Sequence, residues 1–455
     1  MTTNSMKIIL LGFGNIGQAI IPLLKTHFSA MDVWVIEQNL DRGQERLIED
    51  LGLHAIKESV TRENYRQILS PMLGAGDFLV NLATSISSRD LIQLAQANGS
   101  FYIDSCIDPW EYAHSQGGIE TSNYLLREQI LELRPSTAGK ATAIVAHGAN
   151  PGFVSILVKR ALIDMATAHG VAYQGLKDRN DWARLARDLD VRVIQISERD
   201  TQFGTIDRSI GEFVNTWSVD GFVTECLQPA ELGWGTHETE LPQAGHEHAY
   251  GCQAAISINH PSFTLKVKSW SPNYLDFEGY LITHNEAISL ADYLTYRENG
   301  RIIYRPTSYY AYHPCDEAVE SLSLLRDLNP ARITSSRILK DEIRSGIDEL
   351  GVFLISGKYS AYWLGSNLSI GKARKMARHN NATSLQVVSS LVAGMAWALE
   401  NPRRGVLESE DLDHEFIYAF TEPYWSPMVA QSLNWLPRAG ASELLFADFL
   451  VQSDV

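Results

Sequence analysis

Six residues near the start of the chain, Gly12-Phe13-Gly14-Asn15-Ile16-Gly17, place glycine at the first, third and sixth positions. The apolar run Lys7-Ile8-Ile9-Leu10-Leu11 precedes them, and a helical pattern from Ile16 to Lys25 follows. Strand, glycine turn and helix in this order are what a dinucleotide needs. Gly12 permits the tight turn, Gly14 leaves the backbone open to a pyrophosphate, and Gly17 lets the helix pack on the strand. The N–H groups at the start of the helix, Asn15 and Ile16 included, then face the phosphates. A second buried run, Val33-Trp34-Val35-Ile36, ends at Glu37, twenty residues after Gly17. A carboxylate there accepts hydrogen bonds from the adenosine ribose and repels a 2′-phosphate, which favours NAD over NADP; Arg42 nearby is the opposing charge. The ends of later strands, with Asn81, Ala83 and Thr84 and the stretch Asp104 to Asp108, should line the same crevice, because ligands sit at strand carboxyl ends.

A second set of chemically capable residues runs from Glu198 to Glu240, where nine acids meet two bases, a net of −7. Glu198 and Glu225 belong to it, and Trp217 and Trp234 lie among the acids. Carboxylates interleaved with indoles suit a small organic cation, which takes counter-charge from one and a π face from the other. By composition alone the segment reads first as an ordinary solvated acidic face with tryptophans in the core. His147-Gly148-Ala149-Asn150-Pro151-Gly152 follows the last buried run of the first part of the chain. Its small residues admit a close backbone approach to the nicotinamide end, and Asn150 offers a donor and an acceptor. A plain turn would read the same way. His284 stands at a strand-to-helix junction, as a general acid–base or as a structural imidazole. His246 and His248 lack further ligands at a metal-binding spacing, so no metal is expected.

These residues need a scaffold. Over the first ~150 residues buried apolar runs alternate with helical patterns, which predicts an α/β fold with a doubly wound, Rossmann-type parallel sheet. After Pro151 the rhythm changes. Stretches such as Phe263-Thr-Leu-Lys-Val-Lys-Ser-Trp270 alternate, and Leu350 to Gly365 reads as a hairpin turning at Gly357-Lys358. That predicts a second α+β domain with a mixed sheet. The expected division is a dinucleotide-binding domain over 1–150 and a substrate-binding and dimerisation domain over 151–455. Leu385 to Leu399 is the longest apolar helix candidate; polar interruptions make it a buried helix rather than a membrane span.

The chain has 455 residues, 45% hydrophobic and 20% charged, so it can bury a sizeable core. Acids number 54 and bases 38, a formal charge of −16. Such a surface repels nucleic acid and anionic membrane. Four cysteines without a CxxC pair suit a reducing cytoplasm, and the start Met1 to Gly14 has no signal-peptide layout.

With these motifs together, the sequence resembles the bacterial homospermidine synthases of the saccharopine-dehydrogenase-like group. The likeness rests on Gly12 to Gly17, on Asp104-Ser105-Cys106-Ile107-Asp108-Pro109-Trp110, on His147 to Gly152, and on the run from Glu198 through Trp217 to Glu238. Thr283-His284-Asn285-Glu286 and Asp348-Glu349-Leu350-Gly351 extend it over nearly the whole chain. The resemblance implies an NAD-dependent aminobutyl transfer without net redox change: putrescine is oxidised to an imine, ammonia leaves, a second amine such as putrescine or spermidine condenses, and the new imine is reduced. It implies a homodimer that keeps its cofactor, and a helix from about 381 that returns to the first domain. It also implies roles. Trp217 would hold an ammonium or iminium, and Glu198 and Glu225 the charges of the diamine. Asp108 would line the entrance or the second amine site, Asn150 orient the reacting nitrogen or the nicotinamide amide, His284 move a proton or position water, and Asp348 hold a distal ammonium. Two other readings stay open: a net dehydrogenase of saccharopine or carboxynorspermidine type, which would call for arginine clamps on carboxylates, and a non-catalytic NAD-binding protein.

Overall fold

The computed structural model describes residues 6–112 and 121–451. The first five residues of the N-terminal stretch considered above lie outside them. A seven-stranded sheet, parallel throughout, is built mainly from the first part of the chain, in the order Val406–Leu407, Ala143–Ile144, Phe101–Asp104, Phe78–Asn81, Lys7–Leu11, Asp32–Ile36, His54–Ile56. The strand order reverses between Lys7–Leu11 and Phe78–Asn81, so a crevice opens there at the carboxyl ends. Ile8, Ile9, Leu10 and Leu11 are fully buried, as a strand covered on both faces requires.

The last of these strands comes from beyond residue 400. The chain reaches it through Ala382–Glu400, an apolar helix of 19 residues packed against Asn15–Ala19, Ile21–His27 and the strand Phe101–Asp104. Asn381 caps it by accepting from Ser384 N–H at 2.7 Å. It is long and apolar enough to cross a bilayer, but it lies almost wholly inside the molecule.

The second sheet has ten strands and is mixed. At its centre Val191–Asp200 runs parallel to Thr307–His313 and antiparallel to Ile347–Ser356, which forms a hairpin with Ala361–Ser369. Strand alternation sorts the side chains. Val193, Tyr309 and Phe353 pack on one face. Ile196, Tyr310, Tyr312 and Val352 face the other, against the core shared with the parallel sheet. Glu198 and Asp200 follow Ile196 at spacing two, and Asp348 is paired directly with Asp200. Period-two geometry therefore puts three carboxyls on the apolar face, at the sheet end nearest the glycine loop.

Candidate active site

The crevice above the parallel sheet is a cavity of about 740 Å³. Gly12, Gly14, Asn15, Ile16, Glu37, Ala83 and Thr84 line it. The glycines fit their roles. Gly12 has φ +88°, and a Cβ there would meet the Leu82–Ala83 backbone at 2.9 Å. A Cβ on Gly17 would strike Gly12 O at 2.3 Å, whereas Gly14 faces open space. Asn81 and Ala149 are buried and do not line the cavity. Asn81 instead shapes the loop beside it, its Oδ1 accepting from Ala83 N–H at 3.4 Å.

Glu37 Oε2 accepts from Phe13 N–H at 2.9 Å, and Oε1 accepts from Asn39 N–H at 3.2 Å. One carboxylate thus ties the glycine turn to the end of the second strand. Glu37→Ala should lower the NAD/NADP preference by roughly ten- to a hundredfold, the worth of hydrogen bonds to a charged group. Dissociation constants for the two cofactors check this; an unchanged ratio in a folded variant removes Glu37 from the ribose.

The cavity is completed by the second part of the chain, through Trp217, Ser218, Val219 and Asp220. Trp217 is half-buried, edge-on to Phe222 at 6.0 Å, with its other surface on the cavity. Thr216 links the cavity to the carboxyls. Its carbonyl accepts from Asn15 Nδ2 at 3.4 Å, and its hydroxyl donates to Asp200 Oδ2 at 2.7 Å.

The carboxyl cluster is buried. Glu198 Oε2 accepts from Tyr310 Oη at 2.5 Å and from Asn150 Nδ2 at 3.2 Å. Asp348 Oδ2 accepts from Thr383 Oγ1 at 2.6 Å, while Oδ1 finds no donor. The charges of Glu198 and Asp200 both act on the Asp348 carboxyl. Burial raises the pKa of Glu198 to about 8 and of Asp200 to about 6, and raises Asp348 strongly.

The histidine lies on the Tyr310 side. His284 and Tyr310 rings stand 4.5 Å apart. His284 Nδ1 is 3.1 Å from Glu286 Oε1 and Nε2 is 3.3 Å from Glu225 Oε2. Burial opposes its charge, but the two carboxylates outweigh that and hold its pKa well above the ordinary value. The two carboxylates thus favour its protonated form. Burial also raises Glu225, although His284 acts against this. Asp108 is buried, accepts from Tyr112 Oη at 2.5 Å, and is raised to about 6 by burial and by the charge of Glu225. Asp108 therefore stands within electrostatic reach of Glu225.

Glu198, Glu225, Asn150, His284 and Asp348 thus form one cluster, with Asp108 at its edge, while Trp217 lines the neighbouring cavity. Other acids of the segment do other work: Glu212 pairs with Arg337 at 2.8 Å, and Glu231 accepts from Tyr124 N–H at 3.3 Å. Trp234 packs on Phe446 away from the site. Tyr310, Glu286 and Asp200 are residues that the sequence did not single out. Glu286 follows His284 by two and was visible as a partner; Tyr310 and Asp200 become site residues only through strand pairing. Among the described residues no arginine pairs with the carboxyls of Glu198, Glu225 or Asp348, although Arg199 acts on Asp200 and donates to its carbonyl at 2.6 Å. Arg305, available to clamp a carboxylate, donates instead to Gln253 O at 2.7 Å and Trp234 O at 3.3 Å. His246 and His248 belong to no group able to hold a metal among the described residues.

Comparison with known proteins agrees with this geometry. Residues 8–145 match the saccharopine dehydrogenase NADP binding domain family, and 148–432 the saccharopine dehydrogenase C-terminal domain family. A homospermidine synthase of Blastochloris viridis is 44% identical over 97% of this chain and 94% of its own length. The chain belongs to the homospermidine synthase family. A second homospermidine synthase, from Mesorhizobium japonicum, is 39% identical over 98% of this chain and 94% of its own. A crystal structure of a homospermidine synthase from Legionella pneumophila in complex with NAD superposes with a TM-score of 0.91 at 37% identity, covering 98% of each chain. The saccharopine dehydrogenase of Saccharomyces cerevisiae, at 12% identity and a TM-score of 0.52 over 94% of this chain and 100% of its own, shares the fold.

Proposed function

We propose that this enzyme makes homospermidine from putrescine with NAD as a redox-neutral cofactor. The observation that carries the reading is the set of buried carboxyls around His284 beside the nucleotide cavity. Among its described members acids outnumber bases, and Glu225 Oε2 and Asp348 Oδ1 lack hydrogen-bond donors. A diamine carries the two ammonium groups such a cluster lacks, whereas an amino-acid substrate brings carboxylates it would repel.

The cofactor, held by the glycine turn, Glu37, Ala83 and Thr84, takes a hydride from the amine-bearing carbon and returns it later in the same turnover. Glu198, whose pKa burial raises to about 8, takes in its ionised form the proton that the substrate nitrogen must lose. Asn150 and Tyr310 hold that carboxyl in place. Ammonia leaves as the second amine adds to the imine carbon, and the new imine accepts the returned hydride. Two putrescines thus become homospermidine and ammonia, with no change in the cofactor. His284, held charged by Glu225 and Glu286, donates a proton to departing nitrogen. Asp108 receives the second amine. The enzyme works in the cytoplasm, which suits four free cysteines, and as a homodimer. Exposed Phe203, Ile206 and Ile210 offer an apolar face for such a contact.

Incubation with putrescine and NAD⁺ should yield homospermidine and ammonia by mass analysis, with absorbance from reduced cofactor near zero. Stoichiometric NADH build-up would instead establish a net dehydrogenase.

Trp217 should act through its π face. A cation–π contact contributes about 0.5–2 kcal/mol, or roughly two- to thirtyfold in rate. Catalytic efficiency should fall in the order Trp217, Trp217→Phe, Trp217→Ala, with NAD binding little changed. A well-folded Trp217→Ala enzyme of undiminished efficiency would remove it from the substrate; failure to fold would make it a core residue.

A further inference from the structure

The wall of the nucleotide cavity opposite the glycine turn is built by a segment outside the parallel sheet. Ser336, Ile338 and Lys340 line it. Ser335–Ile338 pairs in parallel with Glu212–Asn215, the strand that leads into Trp217. Asn381 Nδ2 donates both to Thr216 O at 2.5 Å and to Leu339 O at 3.1 Å, locking the two strand ends together. The Arg374 guanidinium donates to Lys340 O at 2.6 Å, and Lys340 N–H donates to Glu342 Oε2 at 2.9 Å. The backbone at 340 is therefore fixed, and only the side chain is free to meet a ligand.

Three acids, Glu37, Glu58 and Asp220, line the cavity, and among the described residues Lys340 is its one base. Its ammonium is half-buried and makes no ion pair among the described residues, although Asp341, Asp41 and Glu342 act on it from a distance. Burial holds its pKa below the ordinary lysine value, although those carboxylates act against it. NAD brings one strongly anionic group, its pyrophosphate. Backbone N–H groups at the glycine turn supply dipoles but no full positive charge. We propose that Lys340 grips the cofactor's pyrophosphate from across the cleft, so that the dinucleotide is clamped between the glycine turn and the 336–340 segment. The clamp would also fix the wall that carries Trp217, and so couple cofactor retention to the shape of the amine site. This rests on the dinucleotide reading of the cavity and not on the identity of the amine.

The test uses the full-length protein stripped of nucleotide, and titration calorimetry with NAD, NADP, ADP-ribose and adenosine, without any amine. In Lys340→Met the dissociation constants for NAD and ADP-ribose should rise by roughly ten- to a hundredfold, as for loss of a charge-assisted contact. Adenosine should bind as before. Lys340→Arg should stay within about threefold of the parent, because it keeps the charge. The dependence of log Kd on salt should become shallower in Lys340→Met. Unchanged ADP-ribose affinity in a variant of unchanged melting temperature would overturn the proposal. A loss confined to NADP would overturn it too, by placing the ammonium at the ribose 2′ position. Wild-type protein that binds none of these nucleotides would instead refute the dinucleotide reading itself.

Discussion

Glu198→Gln should lower kcat by about 10²- to 10⁴-fold, the usual contribution of a positioned proton acceptor, while making the protein more stable at pH 8. Both effects come from one feature. Glu198 is 2% exposed and its carboxyl is raised to about 8, with burial the largest cause. Glutamine keeps the volume and still accepts from Tyr310 Oη, and its amide can donate to Asp348. It cannot take a proton. The stability effect has a definite sign. In the unfolded chain a glutamate loses its proton near pH 4.3, whereas in the folded protein this one keeps it to about 8. Between those values the folded state binds more protons, so stability falls as pH rises through the window and levels off above it. The glutamine variant lacks that fall. Its melting temperature should approach the parent's near pH 5 and exceed it increasingly toward pH 8, by a few degrees for a gain on the order of 1–3 kcal/mol. Melting curves at three pH values, with single-turnover rates, check this. A kcat within about threefold of the parent would remove Glu198 from proton transfer. A melting temperature lowered equally at every pH would make it a packing residue.

The nucleotide half of the site was legible in the sequence because its logic is local. Gly12, Gly14, Gly17 and Glu37 are fixed by one strand–turn–helix–strand unit, and their spacing carries the geometry. The amine half is not local. Glu198 and Glu225 stand out as acids beside a tryptophan, but Glu212, Glu231 and Glu238 stand out equally, and composition cannot separate them. What separates them is which strand face each occupies and what lies opposite. Asp200 meets Asp348 through antiparallel register across about 150 positions of chain, and Tyr310 meets Glu198 through a parallel pairing. Lys340 was invisible for the same reason, since nothing near it in sequence marks a nucleotide. The helix Ala382–Glu400 was visible as apolar, but the service of its first turn is tertiary: Asn381 binds two strand ends, and Thr383 donates to Asp348.

Glu225→Gln should act on substrate binding and on His284 at once, and the two effects can be read separately. Glu225 is about one-fifth exposed, and its Oε2 lies 3.3 Å from His284 Nε2. Removing one partner of a partly buried charged contact costs about 2–5 kcal/mol, so kcat/KM for putrescine should fall by roughly 30- to 4,000-fold, mostly through KM. His284 keeps Glu286 but loses one of the two carboxylates that hold it charged, and its pKa should drop toward the ordinary value. A raised histidine contributes stability that is fully present below its unfolded pKa of about 6.5 and is lost as pH rises through the folded one. In the variant that loss should therefore be smaller and complete at lower pH, and the alkaline limb of the kcat profile should move to lower pH with it. If Glu225 were only the counter-ion of His284, the alkaline limb would move and KM for putrescine would not. If it served only the amine, KM would rise with the limb in place. Neither shift, in a folded variant that retains NAD, would take Glu225 out of the site, and the cluster would then have to bind its diamine through Glu198 and Asp348 alone.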